Sequence, residues 1–143
     1  MTHKIDHIDK WKLAYVAGIL DGEGWIGISK RSKTMTLTPA VEVSMSDIKC
    51  ISLLHNVTGL GTISIKTNRG WSSNTMYYWC IRGRLEIYWL LKAVHPFLVT
   101  KREQADIMIE FLERRLQDVA IDSRDFQLRE KIHNLNEGGT YIK

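Results

Sequence analysis

The sequence predicts an α+β domain in which helices cover one face of a four-stranded antiparallel sheet. Three observations predict it. Apolar residues recur at helical spacing, then at a period of two, in the order helix, two strands, helix, two strands, helix, with two more helices after that. Each strand pair has one greasy face and one face of hydroxyl, amide and basic groups. The 143 residues, 44% hydrophobic and 25% charged, suffice for one core. They show no repeat, linker or low-complexity segment, so a single domain is expected over 1–143.

The first helix is read over 9–22, with Asp9 as its N-cap. Residues 25–35 then alternate, Ile26 and Ile28 on one side and Gly27, Ser29, Arg31 and Lys33 on the other. After a turn near Met35, residues 37–45 repeat the pattern, with Leu37, Val41, Val43 and Met45 inward and Thr38, Ala40, Glu42 and Ser44 outward. Ser46 or Asp47 caps a second helix bearing Ile48, Ile51 and Leu54, and Thr58-Gly59-Leu60-Gly61 stops it. Residues 62–67 form a third strand with Ile63 and Ile65 inward. Asn68-Arg69-Gly70 turns the chain. Residues 75–82 form a fourth strand with Tyr77, Trp79 and Ile81 inward and Met76, Tyr78, Cys80 and Arg82 outward. A third helix over 85–94 ends at Pro96. Thr100 to Glu103 reads as a capping box for a fourth, reaching about Gln117 with a buried stripe of Ala105, Met108, Ile109, Leu112 and Leu116. A fifth helix runs from about Asp125 to Leu135 and closes at Gly138-Gly139.

Composition excludes several classes. No apolar run approaches membrane-spanning length, no signal peptide opens the chain, and no organic-cofactor motif occurs. Cys50 and Cys80 have no zinc or CxxC spacing and read as free thiols of an intracellular, reducing compartment, a bacterial or phage cytoplasm or an organelle. The five histidines are scattered. Charge is unevenly placed: residues 29–84 carry eight cations and only Glu42 and Asp47 as anions, a net +6 in a chain whose total is +4. A basic segment carried on strands with one polar face is an electrostatic footprint for nucleic acid, and a β-surface of this kind can lie in a major groove.

The chain is organised around Leu13 to Gly24, LAYVAGILDGEG. Ala14, Ala17 and Gly18 leave one flank of that helix nearly bare, which permits close approach of a second helix. Asp21 and Glu23 then set two carboxylates at the negative pole of the helix dipole, where acids are disfavoured unless a cation repairs the cost.

Val16-Ala17-Gly18-Ile19-Leu20-Asp21-Gly22-Glu23-Gly24 resembles the LAGLIDADG signature of homing endonucleases. Gly59-Leu60-Gly61-Thr62-Ile63 is similar to that family's glycine turn, the stretch from Pro96 to Ala105 to its P-x-L-x-x-K-x-x-Q segment, and Leu135-Asn136 to a frequent late LN. The resemblance, covering about residues 11–136, implies the LAGLIDADG αββαββα core plus C-terminal helices, with the sheet as a DNA-binding saddle. It implies an intron- or intein-associated endonuclease that hydrolyses both strands of a long, pseudo-palindromic DNA target. Glu23 is then the catalytic metal ligand, with the Gly22 carbonyl as a second oxygen, and Lys101 stabilises charge at the scissile phosphate. Mg²⁺ suits so sparse a site, with Mn²⁺ or Ca²⁺ as other divalent occupants, Ca²⁺ in a non-cleaving complex. Asp21 is assigned mainly to structure. One signature copy implies a homodimer with Leu13, Ala14, Ala17, Gly18 and Asp21 near the two-fold axis. Ser29, Arg31, Lys33, Thr38, Glu42, Ser44, Lys66, Asn68, Tyr78 and Arg82 are the expected DNA contacts, Lys30 and Arg69 the expected phosphate contacts, and Trp71 a contact or a loop anchor. One departure stands out. Met45 occupies the place of a polar residue, often Gln, which Ser44, Ser46 or Asp47 could replace. That departure keeps an alternative open: a non-cleaving binder on the same fold, an RNA maturase or a DNA-binding regulator.

Overall fold

The structure is a computed structural model that describes residues 4–67 and 75–138. After a short 3₁₀ turn come α1 (Lys10–Glu23), β1 (Gly24–Arg31), β2 (Thr36–Met45), α2 (Ile48–Thr58), β3 (Thr62–Thr67), β4 (Thr75–Ile81), α3 (Arg84–Val94), α4 (Arg102–Leu116) and α5 (Ser123–Gly138). The four strands make one antiparallel sheet in the order β1-β2-β4-β3. The two expected hairpins are therefore joined through β2 and β4.

The inward parity holds. Ile26, Ile28, Leu37, Val41, Val43, Trp79 and Ile81 form one core with Leu13, Val16, Ala17 and Leu20 of α1 and with the apolar faces of the other helices. Trp79 is fully buried, and its indole N–H donates to the Leu60 carbonyl at 2.8 Å, so its one polar atom is satisfied. Gly59 (φ 66°) and Gly61 (φ 78°) carry the left-handed turn between α2 and β3. Asp47 caps α2, accepting from the Lys49 N–H at 2.9 Å. Pro39 lies beyond the last β2–β4 pair, where β2 has only one neighbour.

Several expectations are corrected. Asp9 is the N-cap of α1, but its side chain makes no capping bond. The Thr100–Glu103 capping box does not form. The N-cap of α4 is Lys101, one residue later, so Thr100 and Glu103 do not stand at the N-cap and N3 positions that a capping box needs. The buried stripe of α4 is Gln104, Ala105, Met108, Phe111 and Leu112, while Leu116 is 42% exposed. β1 stops at Arg31, so Lys33 lies in the turn ending at Met35 (φ 53°) and not on the strand face. Ile63 and Ile65 have the inward parity, but β3 is an edge strand exposed along its length, Ile65 most of all. Ala40, given the outward face, is 2% exposed. The expected turn at Asn68-Arg69-Gly70 and the end of α5 at Gly139 lie outside the described residues.

α5 closes the other sheet edge. The Asn136 side chain donates to the Ile26 carbonyl at 3.0 Å, and Arg129 Nε donates to the Ile28 carbonyl at 3.3 Å. The α4–α5 corner is fixed by Asp125, wholly buried, which accepts from Arg114 Nε, Arg115 Nη2 and the Asp122 N–H. Arg124 pairs through two nitrogens with Glu110 at 2.7 and 2.8 Å. Among the described residues, no helix is long and apolar enough to cross a membrane.

Candidate active site and nucleic-acid interface

The carboxyl end of α1 meets the amino end of α4. Asp21 accepts from the Val99 N–H and the Lys101 N–H, both at 2.9 Å, one on each carboxylate oxygen. In return the Lys101 ammonium donates to the Asp21 carbonyl at 2.7 Å. This exchange answers both local electrostatic conflicts in the sequence. An acid at the negative pole of α1 is held by amides at the positive pole of α4, and a cation at the start of α4 is turned onto a terminal carbonyl of α1. Burial pushes the Lys101 ammonium below its ordinary 10.5, against the pull of Asp21 and Glu23. Glu23 stays exposed at the last position of α1. The end of α1 thus carries an exposed carboxylate and a half-buried ammonium within electrostatic reach of each other.

Among the described residues no three His, Cys, Asp or Glu side chains converge to hold a metal. The donor set is one exposed carboxylate with the Gly22 carbonyl beside it. That fits a hard cation which keeps waters and takes phosphate oxygens, and it does not fit a closed protein cage.

Lys101 also lines a cleft of about 500 Å³ with Gly24, Trp25, Gln104, Leu135 and Asn136. Gln104 donates to the Asn136 side chain at 3.3 Å, so the P-x-L-x-x-K-x-x-Q segment and the late LN meet in one chain of bonds ending at the Ile26 carbonyl. Trp25 and this chain of bonds were not singled out from the sequence, although the two motifs that meet here were.

The polar face is assembled as the alternation predicts. Ser29 stands opposite Thr38, Ser44 opposite Tyr78, and Glu42 opposite Cys80. Arg31 is exposed at the end of β1. The Lys66 ammonium lies 4.9 Å from the centre of the Tyr78 ring. Exposed Arg82 pairs with half-buried Glu42 at 3.3 Å, and the Cys80 thiol reaches Glu42 at 3.7 Å. Burial first, with Glu42 adding to it, pushes the Cys80 thiol up. Lys30 is exposed but has the parity of the core residues. Asn68, Arg69 and Trp71 lie outside the described residues. Met45 packs against the core, and Asp47 is engaged as a helix cap.

Of the residues expected at a two-fold axis, Leu13 and Ala17 are corrected. They are 8% and 0% exposed and belong to the chain's own core, because they lie on the row of α1 that faces the sheet. Ala14 and Gly18, on the adjacent row, are exposed together with Trp11 and Tyr15, at 68% and 49%. Asp21 is half-buried and bonded to its own chain.

No protein-family model matches the chain. Solved structures match strongly. I-Vdi141I, an archaeal intron-encoded homing endonuclease complexed with DNA, superposes with a TM-score of 0.75 at 16% identity, covering 93% of this chain and 89% of that one. The homing endonuclease I-CvuI, bound to its target in 2 mM Ca, gives 0.70 at 21% identity, with 90% and 84% covered. The LAGLIDADG meganuclease I-AabMI, bound to uncleaved DNA, gives 0.65 at 18% identity, and there the match takes 90% of this chain but 43% of the other. With its signature helix packed on a four-stranded antiparallel sheet, and with these superpositions, the chain has the fold of the LAGLIDADG homing endonucleases.

Proposed function

We propose that the protein is a site-specific, divalent-cation-dependent DNA endonuclease that acts as a homodimer on a long, pseudo-palindromic target. The observation that carries the reading is the Asp21–Lys101 exchange, which leaves Glu23 exposed and an ammonium half-buried beside it, at the edge of a polar β-face. The DNA complexes of I-Vdi141I and I-CvuI support it.

Hydrolysis adds water to phosphorus, breaks the P–O3′ bond and sends a proton to the leaving 3′ oxygen. Mg²⁺, or another divalent cation held by Glu23 and the Gly22 carbonyl with phosphate oxygens, would supply charge neutralisation and favour ionisation of water. Lys101 is the group that meets the negative charge building on the phosphate. Asp21 is a positioning residue: it fixes the backbone from which Lys101 projects. Ser29, Arg31, Thr38, Glu42, Ser44, Lys66, Tyr78 and Arg82 read or contact base edges along the saddle, joined by Lys33 from the β1–β2 turn and by Asn68.

One chain offers one Glu23 and one Lys101, whereas I-AabMI is more than twice the length matched here. Two copies, meeting along the Trp11, Ala14, Tyr15 and Gly18 row of α1, supply one cutting site per strand.

The test begins with duplexes selected by the protein from a randomised pool in Ca²⁺, then incubated in Mg²⁺ or EDTA with wild type and Glu23→Gln. Metal-dependent cutting of both strands that Glu23→Gln loses is the expected result. Tight binding without cutting by wild type would retire the endonuclease reading. It would favour the second one, a non-cleaving maturase-like or regulatory binder, for which the observation is Met45 turned into the core where a polar group is usual.

A further inference from the structure

We propose that Trp25 contacts the DNA strand being cut: its indole is the wall against which the deoxyribose beside the scissile phosphate packs. The inference rests on the endonuclease reading and extends it to a residue outside the expected contacts. Trp25 lies two residues after Glu23 and has the outward parity, opposite Glu42. It is half-buried, among neighbours on that face that are mostly hydroxyl and charged groups.

Its place is built, not incidental. A Cβ on Gly27 would lie 2.2 Å from Trp25 Cζ2, and the three nearest atoms all belong to this ring. Gly27 is therefore a bare seat that lets the indole lie flat along β1. Ala40, directly across from Gly27, is buried although it belongs to the polar face.

The same cleft of about 500 Å³ that contains Lys101 is lined by this indole. Its volume falls in the range of clefts that enclose small ligands. Lys101 stands in the lining with Thr100, Gln104, Asn136 and the exposed Glu103 carboxylate, and Trp25 with Leu135 makes its apolar part. A nucleic-acid strand alternates in the same way, charged phosphate and less polar sugar, one of each per nucleotide. Basic grooves with interleaved aromatic faces are how proteins hold single strands of nucleic acid at close range. Lys101 then takes the phosphate while Trp25 fixes the adjoining sugar, which sets the phosphorus against Glu23.

The test uses duplexes selected by wild type and compares Trp25→Ala, Trp25→Phe, Gly27→Ala and the Trp25→Ala/Gly27→Ala double variant. Binding is read in Ca²⁺ and single-turnover cutting in Mg²⁺. Trp25→Ala is expected to weaken binding about tenfold, on the scale of one lost aromatic stack, and to slow cutting. Trp25→Phe retains most of both. Gly27→Ala lifts the ring from its seat and reproduces the Trp25→Ala loss, and the double variant is no worse than Trp25→Ala alone. Independently of whether the alanine variants fold, the change in tryptophan fluorescence on adding duplex is smaller in Trp25→Phe than in wild type. Wild-type affinity and rate in a folded Trp25→Ala, or an unchanged fluorescence response in Trp25→Phe, overturns the proposal. Wild type that binds but never cuts overturns the endonuclease reading alone, because the Ca²⁺ binding comparison still decides for or against Trp25. Wild type that selects no duplex overturns both.

Discussion

Removing the Asp21 carboxylate should loosen the fold before it touches any chemistry. In Asp21→Ala the amides of Val99 and Lys101 both lose an ionised acceptor at 2.9 Å. The Lys101 bond is part-buried and should cost about 1.5–2 kcal/mol; the Val99 bond is exposed, water replaces it, and about 0.5–1 kcal/mol is expected. The sum, about 2–3 kcal/mol, lowers the melting temperature of a chain this size by roughly 6–9 °C. Urea unfolding should show the same loss in midpoint with an unchanged slope. Asp21→Asn keeps one acceptor and turns an NH₂ toward the other amide, so about half the loss is expected. Lys101→Met keeps both bonds and gives up only the ammonium's bond to the Asp21 carbonyl. It should melt within about 1 kcal/mol of wild type, yet lose cutting by about 10²–10³-fold, the scale of one removed charge-stabilising donor. An Asp21→Ala protein as stable as wild type would refute the assignment of Asp21 as a clamp. So would a Lys101→Met protein as unstable as Asp21→Ala.

Further outcomes are expected. Lys101 titrates below its ordinary 10.5, so its protonated form is the one that costs stability in the folded state. That cost, present at neutral pH, disappears as pH rises through the lowered value toward 10.5. Stability of wild type relative to Lys101→Met should therefore rise over that alkaline window, while cutting falls in it; Lys101→Arg should carry whatever cutting it retains to higher pH. Glu110 is held below its ordinary 4.5 chiefly by its hydrogen bonds from Arg124. Its contribution is complete above pH 4.5 and is lost as pH falls through the lowered value, so acid titrations of stability should be shallower in Glu110→Gln. Gly61→Ala should destabilise by about 1–3 kcal/mol in denaturant melts, because φ is 78° and the new Cβ would sit 2.7 Å from the Cys80 carbonyl oxygen.

Much of this was legible in the sequence because it depends on short-range periodicity. Alternation in 25–45 and 75–82 fixes which side of the sheet each residue takes, and Gly59 announces its own left-handed turn. What was not legible depends on partners far along the chain. Asp21 and Lys101 each sit at the wrong pole of their own helix, and only their meeting across 80 positions explains both. Parity gave Ile63 and Ile65 an inward side, but parity cannot say that β3 is an edge strand. Small residues at 14, 17 and 18 suggested one bare flank; the helix buries one of its rows in its own core and leaves the other outside. Alternation gives Gly27 its outward side but not its reason, which is the shape of the Trp25 side chain two residues away.

The two margins of the sheet are guarded unequally, and this bears on how the chain tolerates shortening. Side chains of α5 reach the carbonyls of Ile26 and Ile28, so the margin formed by β1 has lost acceptors with which it could recruit a foreign strand. A chain truncated before Arg129 would keep most of its core residues and all four strands, yet leave these acceptors unoccupied beside the site. Such a product would be dangerous less for what it had lost than for what it could now bind. The last helix thus occupies backbone acceptors along one margin of the sheet, while the Trp11, Ala14, Tyr15 and Gly18 surface of α1 stays exposed.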